Sequence, residues 1–361
     1  MALPVTDKVL ALRPSQALEK LGRQSRVCLL NSSDILRVLK DREVIVMACN
    51  TRIKHVIPGI MRAAEELDAV VAFELAKSEC RTGGGYTGFD PESYSSTVIE
   101  YARDTGFSRP FFIHGDHITV KNTSAEEIDS ARCLIEAQLA AGYTSFAIDA
   151  SFNELEDNIR ITAELAGPIV ERGLGLEVEV GEIKSAGQEA GLTTVEEAVA
   201  FISGLKANGI RPDMLAINNG SKHGNYLEGE KIFIDLERTG QIYRAISKDS
   251  VVIAQHGITG TPLHIVGRFA DYGIRKGNVG TQWQNISHLG LPGDLMADMK
   301  AWAAENKKDI KMATRQFRSE IDNVPLENRK RIEETACNEA KELIRAFRAT
   351  GTASVVIEGL S

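Results

Sequence analysis

The chain lacks the features that mark membrane and disulfide-rich extracellular proteins. None of its 361 residues belong to an apolar stretch of the roughly 18 residues that a membrane-spanning helix needs. Its first 15 residues show no charged segment followed by an apolar core, the pattern of a signal peptide. Its five cysteines are scattered without Cys-X-X-Cys spacing, which argues against a disulfide framework and against a thiolate zinc site. We therefore expect a cytoplasmic protein.

Positive charge is also scarce. The chain has 42 Lys and Arg residues against 50 Asp and Glu residues, a formal net charge of −8. No basic run is long enough to suggest a surface for nucleic acid. We expect neither a nucleic acid nor a membrane as partner, and any anionic ligand must be held by local groups.

What the chain does contain is a repeated pattern of short apolar, β-branched runs separated by segments with helical periodicity. The predicted strands are Glu43–Asn50, Ala69–Ala76, Pro110–His117, Ser145–Ser151, Leu176–Glu182, Met214–Gly220, Val251–Ile258 and Ile274–Thr281. Alternation of helices with strands that are apolar on both faces predicts an α/β protein with a parallel sheet. Eight such units favour a closed (β/α)₈ (TIM) barrel over a doubly wound sheet.

The clearest helices of the pattern are Ile57–Leu67, Ser124–Ala141 and Thr194–Gly209. Ser124 and Glu127 have the spacing of a capping box at the start of the second one. The barrel strands occupy about residues 43–281, with a helical lead-in before residue 43 and a helical extension over about 291–349 that includes Asn328–Phe347. No low-complexity linker interrupts the chain, so we predict a single domain over residues 1–361.

The stretch Phe111–His117 reads Phe-Phe-Ile-His-Gly-Asp-His, an apolar run that ends in groups able to bind metal or move protons. Alternation along a strand places His114 and Asp116 on one face and His117 on the other, unless the strand ends first. The alternative is that one or both histidines are hydrogen-bonded residues of the core.

Other predicted strands also end in polar residues. In a barrel these ends meet at one mouth, where barrel enzymes carry their chemistry. The residues concerned are Asn50, Asp116, His117, Asp149, Ser151, Glu177, Glu179, Glu182, His223, His256 and Asn278. Three imidazoles from strands three, six and seven, with one coordination position left open, are typical of catalytic zinc, and the carboxylates would orient them.

Glycine and threonine follow the later strands. Gly224, Gly257, Thr259, Gly260 and Thr281 offer backbone N–H groups and little bulk, which suits close approach to a phosphate. The alternative is that these residues only allow tight turns and bind no phosphate. The segment 81–88, Arg-Thr-Gly-Gly-Gly-Tyr-Thr-Gly, lacks the features of a P-loop or of a dinucleotide-binding loop, and we interpret it as a mobile loop after strand two.

Six motifs together resemble, in order and spacing, the class II (metal-dependent) fructose-bisphosphate aldolases and their tagatose-bisphosphate relatives. The motifs are His114-Gly-Asp-His117, Ala147-Ile-Asp-Ala-Ser151, Glu177-Val-Glu-Val-Gly181, Gly220-Ser-Lys-His-Gly224, His256-Gly-Ile-Thr-Gly260 and Asn278-Val-Gly-Thr281. The resemblance covers most of residues 43–284. It implies a (β/α)₈ barrel, a homodimer or homotetramer, that reversibly cleaves a ketose bisphosphate, with fructose 1,6-bisphosphate as the expected substrate, to dihydroxyacetone phosphate and glyceraldehyde 3-phosphate.

The resemblance also implies the metal ligands and the acid/base. His117, His223 and His256 match the zinc ligands, and Asp116 matches the group that protonates the aldehyde oxygen. Glu179 matches a carboxylate near the metal that serves as ligand to an alternative metal position, and Asp149 supports the ligands. Zn²⁺ acting as a Lewis acid would hold the charge of the carbanion as an enediolate, so that no Schiff-base lysine is needed.

Two further roles stay open within the resemblance. Glu189 matches the loop glutamate that shuttles the carbanion proton, but the link from Gly181 to Gly187 is longer than in many relatives, so Glu182 competes for that role. The arginine for the second phosphate lies late in the chain or in a neighbouring subunit. The late candidates are Arg315, Arg318, Arg329 and Arg331.

The resemblance assigns the phosphate of the dihydroxyacetone half to a cradle at the late strands, and the family often places a monovalent cation, Na⁺ or K⁺, beside it. The matching residues are Gly224, Gly257, Thr259, Asn278 and Thr281. We expect Asn50, at the end of strand one, to contact substrate at the same mouth.

Two rival functions use the same barrel. A non-catalytic aldolase-like subunit would be expected to lose metal ligands, whereas all three histidines and Asp116 are present. A metal-dependent hydrolase would use the same ligands to activate water, and the phosphate-type loops argue against it.

Overall fold

The computed structural model describes residues 2–181, 191–222, 224–225 and 232–361. Its centre is a closed barrel of eight parallel strands that pair in chain order, with the last strand pairing with the first. The strands are β1 Val46–Asn50, β2 Val71–Ala76, β3 Phe111–Thr119, β4 Ser145–Asp149, β5 Gly175–Val180, β6 Met214–Ile217, β7 Val252–Gln255 and β8 Ile274–Val279. The predicted (β/α)₈ barrel is confirmed.

Helices alternate with the strands and continue at both ends of the chain, as predicted. They are α1 Asp7–Leu10, α2 Ser15–Leu21, α3 Ser32–Leu39, α4 Ile57–Glu66, α5 Pro91–Asp104, α6 Ala125–Ala140, α7 Leu155–Val170, α8 Val195–Ala207, α9 Leu236–Ile246, α10 Leu263–Val266, α11 Thr281–Gly290, α12 Gly293–Glu305, α13 Ala313–Gln316, α14 Arg318–Asp322, α15 Leu326–Ala346 and α16 Thr352–Leu360. In the described part of the chain, no helix has the length and apolar character to cross a membrane.

Predicted and observed boundaries differ mostly at the carboxyl ends of the later strands. The predicted strand Met214–Gly220 stops at Ile217, because its last residues turn into the loop above the barrel. At the start of α6, Ser124 Oγ accepts from the Glu127 backbone N–H at 3.4 Å. The predicted capping box is not completed there, since the Glu127 carboxylate accepts from the Lys121 N–H at 3.4 Å instead.

Apolar residues from both ends of the chain close the amino-terminal floor of the barrel. Ile35 and Leu39 on α3 pack with Val356 and Ile357 on α16 beneath the barrel strands. Burying such side chains contributes about 1.5–3 kcal/mol each. The predicted extension ended near residue 349, so α16 was missed, although its apolar residues recur with helical spacing.

The segment between α12 and α14 lies at the opposite, carboxyl-terminal mouth. Lys308, Lys311 and Arg315 from this segment line the pocket that opens there. The helix α15 then runs back along the outside of the barrel and packs against α4. The carboxyl-terminal extension therefore contributes to the wall of the pocket as well as to the outer helical layer.

Candidate active site

Asp116 and His117 enter the same pocket because β3 is irregular at this point. The register of β3 against β4 shifts between Gly115 and Ile118, and His117 has a positive φ of 39°. A non-glycine residue in this conformation costs on the order of 1–3 kcal/mol. The expectation that Asp116 and His117 face opposite sides was wrong: the bulge turns both side chains into the mouth, where both line the pocket.

Two imidazole rings face each other in this pocket. Nε2 of His117 lies 2.7 Å from Nδ1 of His256, and the rings are nearly perpendicular at 86°. Asp116 offers a carboxylate oxygen to the same group, in which the potential ligand atoms all lie within 4.8 Å of one another. This donor set suits a divalent ion such as zinc. The predicted third imidazole, His223, lies outside the described residues.

Carboxylates hold the far nitrogen of each ring. His256 Nε2 lies 2.7 Å from Glu177 Oε1, and His117 Nδ1 lies 3.2 Å from both Asp149 Oδ2 and Glu179 Oε2. Such partners fix the tautomer and orientation of a metal-binding histidine. Burial opposes a charge on His117, but the carboxylates of Glu179, Asp116 and Asp149 outweigh it and raise the pKa of the ring.

Glu179 lies 3.2 Å from Nδ1 of His117, the ring nitrogen that does not contact His256. With His117 and Asp149 it forms a second group able to hold a metal ion, which shares His117 with the group that contains His256. The role of Glu179 as a ligand in an alternative metal position stays a prediction.

Asp116 is held in the carboxylate form. Asn50 Nδ2 donates to its Oδ2 at 2.8 Å, and Asn278 Nδ2 donates to its Oδ1 at 3.0 Å. Burial alone would raise the pKa of Asp116, but the positive charges of His117, His256 and Lys276 lower it to about 2. At neutral pH the group is therefore a proton acceptor with both oxygens oriented.

A buried layer of charged residues, not predicted from the sequence, lies directly under the site. Lys276 Nζ on β8 lies 2.9 Å from Glu177 Oε2 and 3.1 Å from Glu74 Oε2, and the three side chains are at most 1% exposed. Burial lowers the pKa of Lys276, but both carboxylates outweigh it and raise the pKa overall. Lys276 is thus a protonated counter-ion rather than an amine nucleophile.

His114 belongs to this layer, not to the pocket. It is fully buried, its Nδ1 lies 2.7 Å from Ser145 Oγ, and burial together with the charge of Lys276 lowers its pKa to about 4. The alternative of a hydrogen-bonded core histidine therefore holds for His114 and fails for His117. The charged residues within the predicted strands, Glu74 in β2, Glu177 in β5 and Lys276 in β8, were the available signal for the layer.

The residues with phosphate-type features reach the same mouth. The predicted contacts that line the pocket with Asp116 and His256 are Asn50, Gly224, Gly257, Thr259, Asn278 and Thr281. Gly257 has a φ of 69°, and a Cβ there would lie 2.5 Å from the Lys222 carbonyl oxygen, so glycine is required for this close approach. The predicted proton shuttles Glu182 and Glu189 lie outside the described residues.

Part of the pocket wall is basic. The basic residues that line it are Arg52, Arg81, Lys121, Lys308, Lys311 and Arg315. Of the four arginines considered for a second phosphate, Arg315 lines the pocket, and it donates to the carbonyls of Gly83 and Gly84 at 3.1 and 3.0 Å. Arg318 instead stacks on Phe89 at 3.7 Å from the ring centroid, and Arg331 donates to the Gly290 carbonyl at 2.8 Å.

The chain is similar to known proteins over most of its length. The family model "Fructose-bisphosphate aldolase class-II" matches residues 30–352. A fructose-bisphosphate aldolase of Streptococcus pneumoniae is 26% identical over 300 residues, covering 81% of this chain and 92% of the relative. A fructose-bisphosphate aldolase of Geobacillus stearothermophilus is 30% identical over 233 residues, covering 63% and 71%.

Solved structures share the fold. The YdjI aldolase of Escherichia coli K12 matches with a TM-score of 0.64 at 20% identity, over 90% of this chain and 99% of that one. The fructose-bisphosphate aldolase of Campylobacter jejuni matches with a TM-score of 0.64 at 17% identity, over 89% and 95%.

Fold and site together define a barrel protein with a histidine and carboxylate centre at the carboxyl ends of its strands. Its family follows from the match over residues 30–352: the chain belongs to the class II fructose-bisphosphate aldolases, which are metal-dependent lyases.

Proposed function

We propose that the protein is a zinc-dependent aldolase that reversibly cleaves fructose 1,6-bisphosphate to dihydroxyacetone phosphate and glyceraldehyde 3-phosphate. The observation that carries the proposal is the 2.7 Å approach of His117 Nε2 to His256 Nδ1 beside the Asp116 carboxylate. Relatives named fructose-bisphosphate aldolase support the choice of substrate.

His117 and His256 would hold the metal through these facing nitrogens, with His223 as the third ligand. When bound, the ion supplies Lewis-acid stabilisation of the negative charge that cleavage leaves beside the ketose carbonyl. Glu177 and Asp149 keep the rings oriented through their other nitrogens. Glu179 would serve a metal in an alternative position.

Asp116 performs the proton transfer at the aldehyde half. In cleavage, its carboxylate takes the proton of the C4 hydroxyl, the C3–C4 bond breaks, and the hydroxyl carbon becomes the aldehyde carbonyl. In condensation, the same group returns the proton to the aldehyde oxygen. The two amides that donate to Asp116 favour the ionised form from which cleavage starts.

A second proton is needed at C3 of the substrate, where cleavage of the C3–C4 bond leaves negative charge. We assign this step to a glutamate of the segment after β5, with Glu189 and Glu182 as the two candidates. Neither position lies within the described residues, so the assignment depends on the resemblance of the motifs. Turnover of Glu182→Gln and Glu189→Gln variants would distinguish them.

The two ends of the substrate are assigned to two sides of the pocket. The phosphate of the dihydroxyacetone half would bind among Gly224, Gly257, Thr259, Asn278 and Thr281, with Asn50 contacting the substrate nearby. The basic wall that includes Arg315 suits a second anionic group on the aldehyde half. A monovalent cation beside the first phosphate, a homodimeric or homotetrameric state and a cytoplasmic location remain predictions.

A coupled assay tests the proposed function. Fructose 1,6-bisphosphate, tagatose 1,6-bisphosphate and fructose 1-phosphate are supplied to the protein, and triose phosphate formation is followed. We expect cleavage that disappears with a chelator and returns with Zn²⁺. Release of inorganic phosphate by hydrolysis would favour the hydrolase, and a folded, zinc-loaded protein without turnover of any ketose phosphate would favour the non-catalytic subunit.

A further inference from the structure

Arg52 lies in the pocket wall, in the loop after β1, and its guanidinium is fixed on two sides. Its Nε donates to Glu79 Oε1 at 2.7 Å, and its Nη1 donates to Gln284 Oε1 on α11 at 2.9 Å. Among the described residues, no hydrogen-bond partner takes its third nitrogen, Nη2. The side chain is only 13% exposed and lines the pocket. The structure thus holds a charged donor in one orientation and leaves one nitrogen for a ligand.

The free nitrogen faces Gly280, directly before the amino terminus of α11. A Cβ on Gly280 would lie 3.0 Å from Arg52 Nη2 and 3.2 Å from Asn50 Oδ1. Gly280 has a φ of −118°, which any residue can adopt, so here glycine provides space rather than an unusual backbone. The space left by the missing side chain of Gly280 therefore lies between the fixed guanidinium of Arg52 and the positive end of the ten-residue helix α11.

In the first turn of α11, the Gln282 N–H donates to Thr259 Oγ1, another pocket residue, at 3.2 Å. Gly280 occupies the N-cap position and makes no side-chain cap hydrogen bond, and the next residue, Thr281, lines the pocket. The positive end of a helix beside an arginine favours an oxyanion with several acceptor oxygens.

We infer that Arg52 binds the phosphate monoester of the substrate through Nη2, at the amino terminus of α11. The inference rests on the proposed function and adds a side chain to a phosphate cradle otherwise made of backbone, hydroxyl and amide groups. Arg52 is a binding residue for the dihydroxyacetone phosphate half, whereas Arg315, another basic residue of the pocket lining, is assigned to the aldehyde half.

A purely structural role for Arg52 makes a different prediction. Glu79, which pairs with Arg52, also accepts from Asn50 Nδ2 at 3.3 Å, and Asn50 donates to Asp116. Through this chain Arg52 would position Asp116, and its loss would lower kcat without weakening phosphate binding. Separate measurement of phosphate affinity and of kcat therefore distinguishes binding from positioning.

The test compares wild type with Arg52→Gln, which removes the charge but keeps an amide donor. The matched control is Arg62→Gln, because Arg62 also pairs with a carboxylate, Glu333, but lies outside the pocket. Inorganic phosphate is titrated calorimetrically into each zinc-loaded protein. We expect Arg52→Gln to weaken phosphate binding about 10- to 100-fold, the scale of one charge-assisted hydrogen bond, and Arg62→Gln to leave it unchanged.

Kinetics with fructose 1,6-bisphosphate complete the test. We expect KM to rise by a similar factor in Arg52→Gln with kcat changed less, and added guanidinium ion to restore part of the loss. Arg52→Lys keeps the charge and serves as the second variant if Arg52→Gln does not fold. It should bind phosphate more tightly than any uncharged variant at this position that folds.

Equal phosphate affinity in wild type and the uncharged variant, including no measurable binding to either, would overturn the inference. A fall in kcat with unchanged phosphate affinity would also overturn it, in favour of positioning. Because phosphate binding needs no turnover, an Arg52-dependent phosphate site in a protein that cleaves no ketose phosphate would refute the proposed function and leave this inference standing.

Discussion

At the scale of the residue, the site depends on the unusual backbone of His117. Its φ of 39° brings Nε2 opposite His256 Nδ1, whereas regular alternation in β3 would have turned the ring away from Asp116. Apolar and polar periodicity carries no signal for such a bulge, because a bulge reverses the alternation on which the prediction relies. The residue types at the site were predictable; the shared direction of Asp116 and His117 was not.

Replacing Asp116 tests the proton transfer. Asp116→Asn keeps the size of the side chain but cannot accept the C4 hydroxyl proton. We expect kcat for fructose 1,6-bisphosphate cleavage to fall about 10²- to 10⁴-fold, the usual scale for a general acid/base. Zinc content, measured by elemental analysis, should stay at the wild-type level. A loss of less than tenfold would mean that another group moves this proton.

Replacing Glu177 tests the support of His256. Glu177 Oε1 lies 2.7 Å from His256 Nε2, so Glu177→Gln removes a charged acceptor while leaving the bulk in place. We expect zinc affinity to fall about 10- to 100-fold, measured by competition with a chromophoric chelator. Glu339→Gln, outside the pocket, is the control. Unchanged affinity in Glu177→Gln would show that His256 is oriented by other contacts.

At the scale of the element, the apolar runs located all eight strands, because burial on both faces gives parallel barrel strands an unbroken apolar signal. The charged layer inside the barrel was not predicted from these apolar runs. Glu74, Glu177 and Lys276 compensate one another only through ion pairs between strands that are distant in sequence. Helix α16 was missed for a similar reason, since its apolar face is explained by α3, more than 300 residues earlier.

His55, just after β1, ties the barrel to α14 and makes stability depend on pH. Its Nε2 lies 2.8 Å from the Ile321 carbonyl oxygen, and burial lowers the pKa of the ring. The unfolded chain therefore takes up a proton near pH 6.5 that the folded chain does not, so the free energy of unfolding falls as the pH drops below that value.

We expect the urea midpoint to decrease between pH 7.5 and 5.0, and to decrease less in His55→Gln, which keeps a donor for the carbonyl but cannot be protonated. Above pH 7.5 the two proteins should show parallel dependence on pH. Equal slopes between pH 7.5 and 5.0 would show that His55 does not contribute to the acid sensitivity.

At the scale of the whole molecule, the apolar residues that close the barrel and the residues of the candidate site lie at opposite ends of the strands. The floor is closed by apolar residues of α3 and α16, and the mouth carries the histidines, carboxylates and basic wall. The charged layer lies between the two and links β2, β5 and β8 across the barrel through Lys276. Its loss should therefore affect the entire fold.

Lys276→Met tests this link. The substitution leaves Glu74 and Glu177 buried without their cation, and breaking a buried ion pair in this way costs about 3–5 kcal/mol. We expect the free energy of unfolding in urea to fall by that amount, and Lys276→Met/Glu74→Gln to recover part of it, because only one uncompensated carboxylate then remains. A loss below about 1 kcal/mol in the single variant would mean that the layer does not stabilise the barrel.

The most direct test of the metal centre is a crystal structure of the zinc-loaded protein with an anomalous difference map collected at the zinc edge. We expect a peak bound by His117 Nε2 and His256 Nδ1, with Asp116 beside it and the rings moved apart from their 2.7 Å contact. A map without a zinc peak between these two nitrogens, or with the ion held by other residues, would contradict this expectation.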